Sequence, residues 1–145
     1  MELALKLAHE AALDDEVPVG AVIVHDGKVI GSGRNQREKK NSAISHAEIE
    51  AIQMATEAVG DWRLNGCTLY VTLEPCPMCL AACQQSRIER VVYGARDPKG
   101  GAISLGYALH SDQRLNHRFD VEYQESDACS VVLKSFFSAK RKQKG

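Results

Sequence analysis

Apolar and polar positions alternate along this chain in two distinct periods. From Glu2 to Asp14, Leu3, Leu7 and Ala11 recur at helical spacing and predict an amphipathic helix. VGAVIVHDGKVIGSG follows, where two apolar runs flank Asp26-Gly27; that dipeptide predicts a hairpin of strands 19–25 and 28–34. The helical period returns in SHAEIEAIQMATEAVG, with Ser45 as N-cap, Ile49, Ile52, Ala55 and Val59 on one face, and Gly60 as the stop. TLYVTL at 68–73 reads as a strand, and PMCLAACQQS at 77–86 as a helix with Pro77 at its first position. RVVYGA at 90–95 and the weaker FDVEY at 119–123 read as strands. A last helix runs from Asp127 to about Lys142, anchored by Val131, Leu133, Phe136 and Phe137. The order α-β-β-α-β-α-β-loop-β-α predicts an α/β fold, a mixed sheet between helical layers with right-handed crossovers.

The length of 145 residues fits one domain, 1–145, large enough to bury a core. No apolar run approaches the ~20 residues a membrane span needs, and MELALKLAHEAALDDE lacks the pattern of a signal peptide. A cytoplasmic protein with reduced thiols is therefore expected, and its five cysteines, an odd number, argue against a disulfide framework. A net charge of −1 gives no hint of a nucleic-acid partner, but RNQREKK at 34–40 and KRKQK at 140–144 concentrate basic residues.

The chemistry-bearing stretch is EPCPMC. Cys76-Pro77-Met78-Cys79 taken alone has three readings: zinc ligands, a redox dithiol, or core thiols that happen to be close. A redox pair is expected after the first strand of a thioredoxin-like unit, whereas here a hairpin and a helix come first. His46 stands at one predicted helix start and the CxxC at another, so an imidazole and two thiolates can meet as three zinc ligands and leave a fourth position open. Cys76 as N-cap and Cys79 in the first turn lie at the positive end of a helix dipole, which favours thiolates. Glu48 has two readings. Ser45-His46-Ala47-Glu48 fits a capping box, in which the glutamate only closes a helix end; beside a metal-activated water, the same carboxylate can move protons. Together, H-x-E and P-C-x-x-C form the signature of zinc-dependent nucleobase deaminases.

On these motifs the chain resembles the cytidine deaminase superfamily and, more closely, the bacterial tRNA-specific adenosine deaminase family. EVPVGAVIV at 16–24, GRNQRE at 33–38, HAEIEAI at 46–52, TLYVTLEPCPMC at 68–79, SRIERVVYGARDPKGGA at 86–102 and NHR at 116–118 match that family in order. The resemblance implies a three-layer α-β-α cytidine-deaminase-like fold with a five-stranded mixed sheet and helices on both faces, usually as a homodimer. It implies zinc, one ion per subunit, on His46, Cys76 and Cys79, with Glu48 as the proton shuttle. Asn35 would hydrogen-bond the flipped nucleoside, Val19 would pack against the base, and the main chain around Ala47 and Glu74 would fix the base edge. Asp97 and Lys99 would line the RNA pocket. The implied partner is a tRNA anticodon stem-loop, with no membrane. The implied reaction is hydrolytic: a zinc-generated hydroxide attacks C6 of the wobble adenosine, Glu48 carries the proton to N1 and then to the departing amine, and inosine results. After GARDPKGGA the family commonly continues with a Gly-Ser pair and a leucine; this chain reads ISLGYALH, a departure at the RNA-facing rim.

Two other readings compete. One is a deaminase of a free base or nucleoside (guanine, cytosine or cytidine) on the same fold, against which the GARDPKGG loop and the basic tail favour RNA. The other is a non-catalytic zinc module that binds RNA or protein, which a fourth thiolate or histidine would favour. Cys67, Cys83 and Cys129 read as packed core thiols, His110 and His117 as residues near the RNA rim, and Phe136 and Phe137 as core anchors that could also stack near the anticodon.

Overall fold

A computed structural model describes residues 1–144; the final glycine of the expected 1–145 domain lies outside the described residues. In chain order the elements are α1 (Glu2–Leu13), β1 (Gly20–His25), β2 (Lys28–Arg34), α2 (Ala47–Val59), β3 (Thr68–Val71), α3 (Pro77–Gln85), β4 (Arg90–Tyr93), β5 (Asp120–Tyr123) and α4 (Asp127–Lys144). The element order and types agree with the sequence pattern. β3 and β4 each end two residues earlier than predicted, and α4 runs two residues further.

The strands form one sheet in the order β2-β1-β3-β4-β5. β1 is antiparallel to β2 and β3, whereas β3, β4 and β5 run parallel, so the sheet is mixed. Asp26 and Gly27 both take positive φ, 48° and 76°, the paired left-handed conformation that a tight two-residue hairpin requires. Helices cover both faces. A Cβ on Gly20 would strike Ala4 and Ala8 of α1, whereas a Cβ on Gly31 or Gly33 would strike Ala47, Ala51 and Ala55 of α2. α4 packs against α1, and α3 beside α2. This is the three-layer arrangement expected.

The helix faces differ from the sequence reading, for one physical reason. α1 buries Ala4, Ala8 and Ala11, not Leu3, which is 40% exposed. α2 buries Ala47, Glu48, Ala51 and Ala55 and leaves Val59 outside. Glycines on the sheet bring the helix backbones so near that only small side chains fit between them, and the larger apolar residues are pushed to the rim. In α4 the buried residues are Cys129 and Val132, while the predicted anchors Val131 and Phe137 are exposed.

Candidate catalytic and metal-binding site

The N-termini of α2 and α3 converge beside the C-terminal end of β3. His46 is the N-cap of α2 and Cys76 the N-cap of α3, with Pro77 at the first helical position as predicted. The His46 Nδ1 lies 3.6 Å from the Cys76 Sγ and 3.5 Å from the Cys79 Sγ. All three ligand atoms fall within 4.8 Å of one another. Each group responds to this crowding. The hydrogen bond from the Cys79 thiol, and then the one from His46, hold the Cys76 thiol down to about 4, against its burial. The same pairing pushes Cys79 up, burial adding to it. The hydrogen bond to Cys76 raises His46, although burial opposes it.

Two sulfurs and an imidazole nitrogen at this spacing fit a zinc ion. No fourth histidine, cysteine or carboxylate joins them among the described residues, so the set has the three-ligand form of a catalytic centre. Cys83 stays outside the group. It is fully buried, and burial pushes its thiol up, as for an inert core residue.

The capping-box reading of Glu48 fails. The N-cap is His46 rather than Ser45, neither residue caps through its side chain, and Glu48 falls at the second helical position instead of the third. Its side chain is turned inward and 4% exposed. Burial raises its carboxyl to about 7, with the nearby Cys76 adding to the effect and its own backbone N–H and His46 opposing it.

A cavity of about 170 Å³ opens over these groups. His46, Glu48 and Cys76 line it, joined by the expected substrate-side residues Val19, Asn35, Ala47, Glu74 and Asp97. Lys99 is the exception. The Asp97 Oδ1 accepts the N–H groups of Lys99 at 3.3 Å and Gly100 at 3.0 Å, a turn that leaves the lysine exposed and away from the cavity. Val17, Arg37 and Leu73 also line the cavity; their positions inside EVPVGAVIV, GRNQRE and TLYVTLEPCPMC are the available signal.

The two walls are held from behind. Asn35 donates through Nδ2 to the Val17 carbonyl at 3.1 Å and accepts the Arg37 N–H at 3.1 Å, which fixes the plane of its amide. Glu16, 2% exposed, accepts the N–H groups of Glu38 at 3.1 Å and Lys39 at 2.8 Å and so anchors the loop between β2 and α2. Glu74 does the same for the 97–104 loop across the cavity. Nothing in the periodicity marks Glu16; its position inside EVPVGAVIV is the available signal.

A second groove, about 490 Å³, shares Val17, Asn35 and Arg37 with the cavity and is bordered by Phe136, Phe137, Lys140 and Lys144. His110 and His117 are not at this rim. Both pack on Phe119, at centroid distances of 6.1 and 5.8 Å, and His117 Nε2 meets the Ile88 carbonyl at 2.8 Å. Their shared neighbour Phe119 directly precedes β5, placing them at the N-terminal ends of β4 and β5, away from the cavity.

Comparison with known proteins agrees with this geometry. The family model described as MafB19-like deaminase matches residues 1–141. A tRNA-specific adenosine deaminase of Agrobacterium fabrum (strain C58) is 49% identical over 142 residues, covering 97% of this chain and 93% of that protein. One from Bacillus subtilis (strain 168) is 46% identical, covering 99% and 90%. A structure from a study of A-to-I editing by tRNA:A34 deaminases at the wobble position of transfer RNA superposes with a TM-score of 0.86 at 48% identity, covering 92% of this chain and 97% of that one. A guanine deaminase from Bacillus subtilis gives 0.64 at 38% identity, covering 73% and 67%.

Proposed function

The chain belongs to the MafB19-like deaminase family, and from that membership we propose that it deaminates the wobble adenosine of a tRNA anticodon loop to inosine. The observation that carries this reading is a buried glutamate beside a His-Cys-Cys group in one cavity. His46, Cys76 and Cys79 would hold zinc, one ion per chain, which as a Lewis acid supplies hydroxide near neutral pH.

The chain's own groups supply the rest. Glu48 takes the proton of the attacking water and passes it to N1 of the adenine. The same carboxyl can return a proton to the departing amine, which leaves as ammonia. Val19 offers an apolar surface to the base, and Asn35, its amide held by Val17 and Arg37, presents remaining donor and acceptor capacity to the nucleoside. The main chain at Ala47 and Glu74 would fix the base edge. Asp97 would take a donor from the substrate strand. Lys99, being exposed, would meet phosphate outside the cavity. The wobble base already lies in a single strand, so turning it inward costs only unstacking, a few kcal/mol.

RNA is favoured over a free base by the groove that continues from the cavity. Phe137, 43% exposed, offers stacking, and Lys144 beside it offers a cation for phosphate, neither of which a free base would use; Lys140 there is paired with Asp15. We further propose a cytoplasmic location, in keeping with a tRNA substrate and with five free cysteines, and the homodimer that the family resemblance implies. Among the described residues, no helix is long and apolar enough to cross a membrane.

The test uses zinc-loaded protein and an anticodon stem-loop with adenosine at the wobble position, digested and read for inosine by mass spectrometry. Free adenosine, cytidine and guanine run in parallel. Inosine at that position with the small molecules untouched supports the reading; conversion of a free base alone overturns the substrate.

A further inference from the structure

Glu74 stands two residues before a zinc ligand, yet its side chain is committed elsewhere. It is 3% exposed, and its carboxylate is filled by one loop. Oε1 accepts the Asp97 N–H at 3.1 Å and the Ser104 hydroxyl at 2.6 Å; Oε2 accepts the Ser104 N–H at 2.8 Å. The loop closes so tightly that a Cβ on Gly101 would stand 2.1 Å from Oε2. The next residue returns to the chain beside Glu74, the Ala102 N–H reaching the Pro75 carbonyl at 2.8 Å. Ser104 lies within ISLGYALH, the segment in which this sequence departs from its family.

We propose that Glu74 and Ser104 are positioning residues that set substrate affinity through Asp97. The inference rests on the deaminase reading above and deepens it. Asp97 lines the cavity, its Oδ1 is taken by the turn, and Oδ2 accepts no hydrogen bond among the described residues. A cavity-lining carboxylate with one oxygen free can take a hydroxyl or amino donor of the substrate. Its location depends on the backbone N–H of the same residue, which the Glu74 carboxylate fixes. The Ser104 hydroxyl supplies one of that carboxylate's three hydrogen bonds, to the same oxygen that accepts the Asp97 N–H, so removing it loosens the wall without touching the zinc ligands or Glu48.

The experiment is a double-mutant cycle on the zinc-loaded enzyme with the anticodon stem-loop. Ser104→Ala is expected to raise KM about tenfold with kcat changed less than about twofold. Zinc content should stay at the wild-type level, and Ser104→Thr should recover the wild-type KM. In an Asp97→Ala background, Ser104→Ala should change KM by less than about twofold, because the penalty passes through Asp97. Glu74→Gln, which replaces one acceptor oxygen with a donor, should exceed Ser104→Ala in the same direction. KM penalties that multiply across the two backgrounds overturn the proposal. So does a fall in kcat or zinc content at unchanged KM, which would make the clamp a mere support for Cys76. Wild-type protein that leaves the stem-loop unconverted would instead overturn the substrate reading, and the cycle is then scored on whichever free base it converts.

Discussion

Glu48 and Glu74 both line the cavity, and both are buried, at 4% and 3% exposed. Their surroundings differ in kind. Glu74 receives three hydrogen bonds from the 97–104 loop, so the protein replaces the water that burial removed. Glu48 has its own backbone N–H and the Cys79 thiol as donors, but burial dominates and lifts its carboxyl to about 7. A satisfied carboxylate holds structure in place. One whose burial outweighs its donors stays near the point of changing its proton, which proton transfer requires.

The largest break in this comparison is Glu48→Gln. It keeps the shape and removes the proton carrier, so kcat should fall by about 10³-fold or more while zinc and stem-loop binding persist. Metal analysis and a gel-shift titration check the two retained properties. Turnover within about tenfold of wild type would contradict the role.

Stability against pH tests the burial of Glu48 next. A carboxyl raised on folding holds its proton more tightly in the folded state. Its contribution is therefore full below its ordinary value of 4.5 and lost as pH rises through about 7. Each pH unit between those limits is worth about 1.4 kcal/mol, so metal-free wild type should lose up to about 3 kcal/mol relative to Glu48→Gln across them. Urea unfolding over that range measures it, and parallel curves would contradict the burial argument. On the other wall, Gly101→Ala drives a methyl into the Glu74 carboxylate and should cost about 2 kcal/mol in the same assay. The smallest effect is expected at Cys83, buried behind the site and outside the ligand group. Cys83→Ala should cost about 1 kcal/mol of stability and leave zinc content and kcat within about twofold of wild type.

The sequence pattern reaches some of these features and not others. Element order, the Asp26-Gly27 hairpin, the N-cap at Cys76 and the helix stop at Gly60 are local, and local chemistry predicts them. The His46-Cys76-Cys79 group is legible because metal ligation demands particular residue types at particular spacings. The faces of α1 and α2 are not, because the deciding partners, Gly20, Gly31 and Gly33, lie on strands remote in sequence. Glu16 escapes for a similar reason: its ligands are main-chain N–H groups, which carry no residue identity. Resemblance puts Lys99 in the pocket, and a turn closed by Asp97 puts it outside.

The most direct test of the account is single-turnover conversion of a full-length tRNA with adenosine at the wobble position, comparing zinc-loaded wild type with zinc-loaded Glu48→Gln. Site-resolved mass spectrometry follows inosine with time. The account predicts inosine at the wobble position alone with wild type, and none on that timescale with the variant at equal zinc content. Equal rates from both proteins, or inosine elsewhere in the tRNA and none at the wobble position, would contradict it.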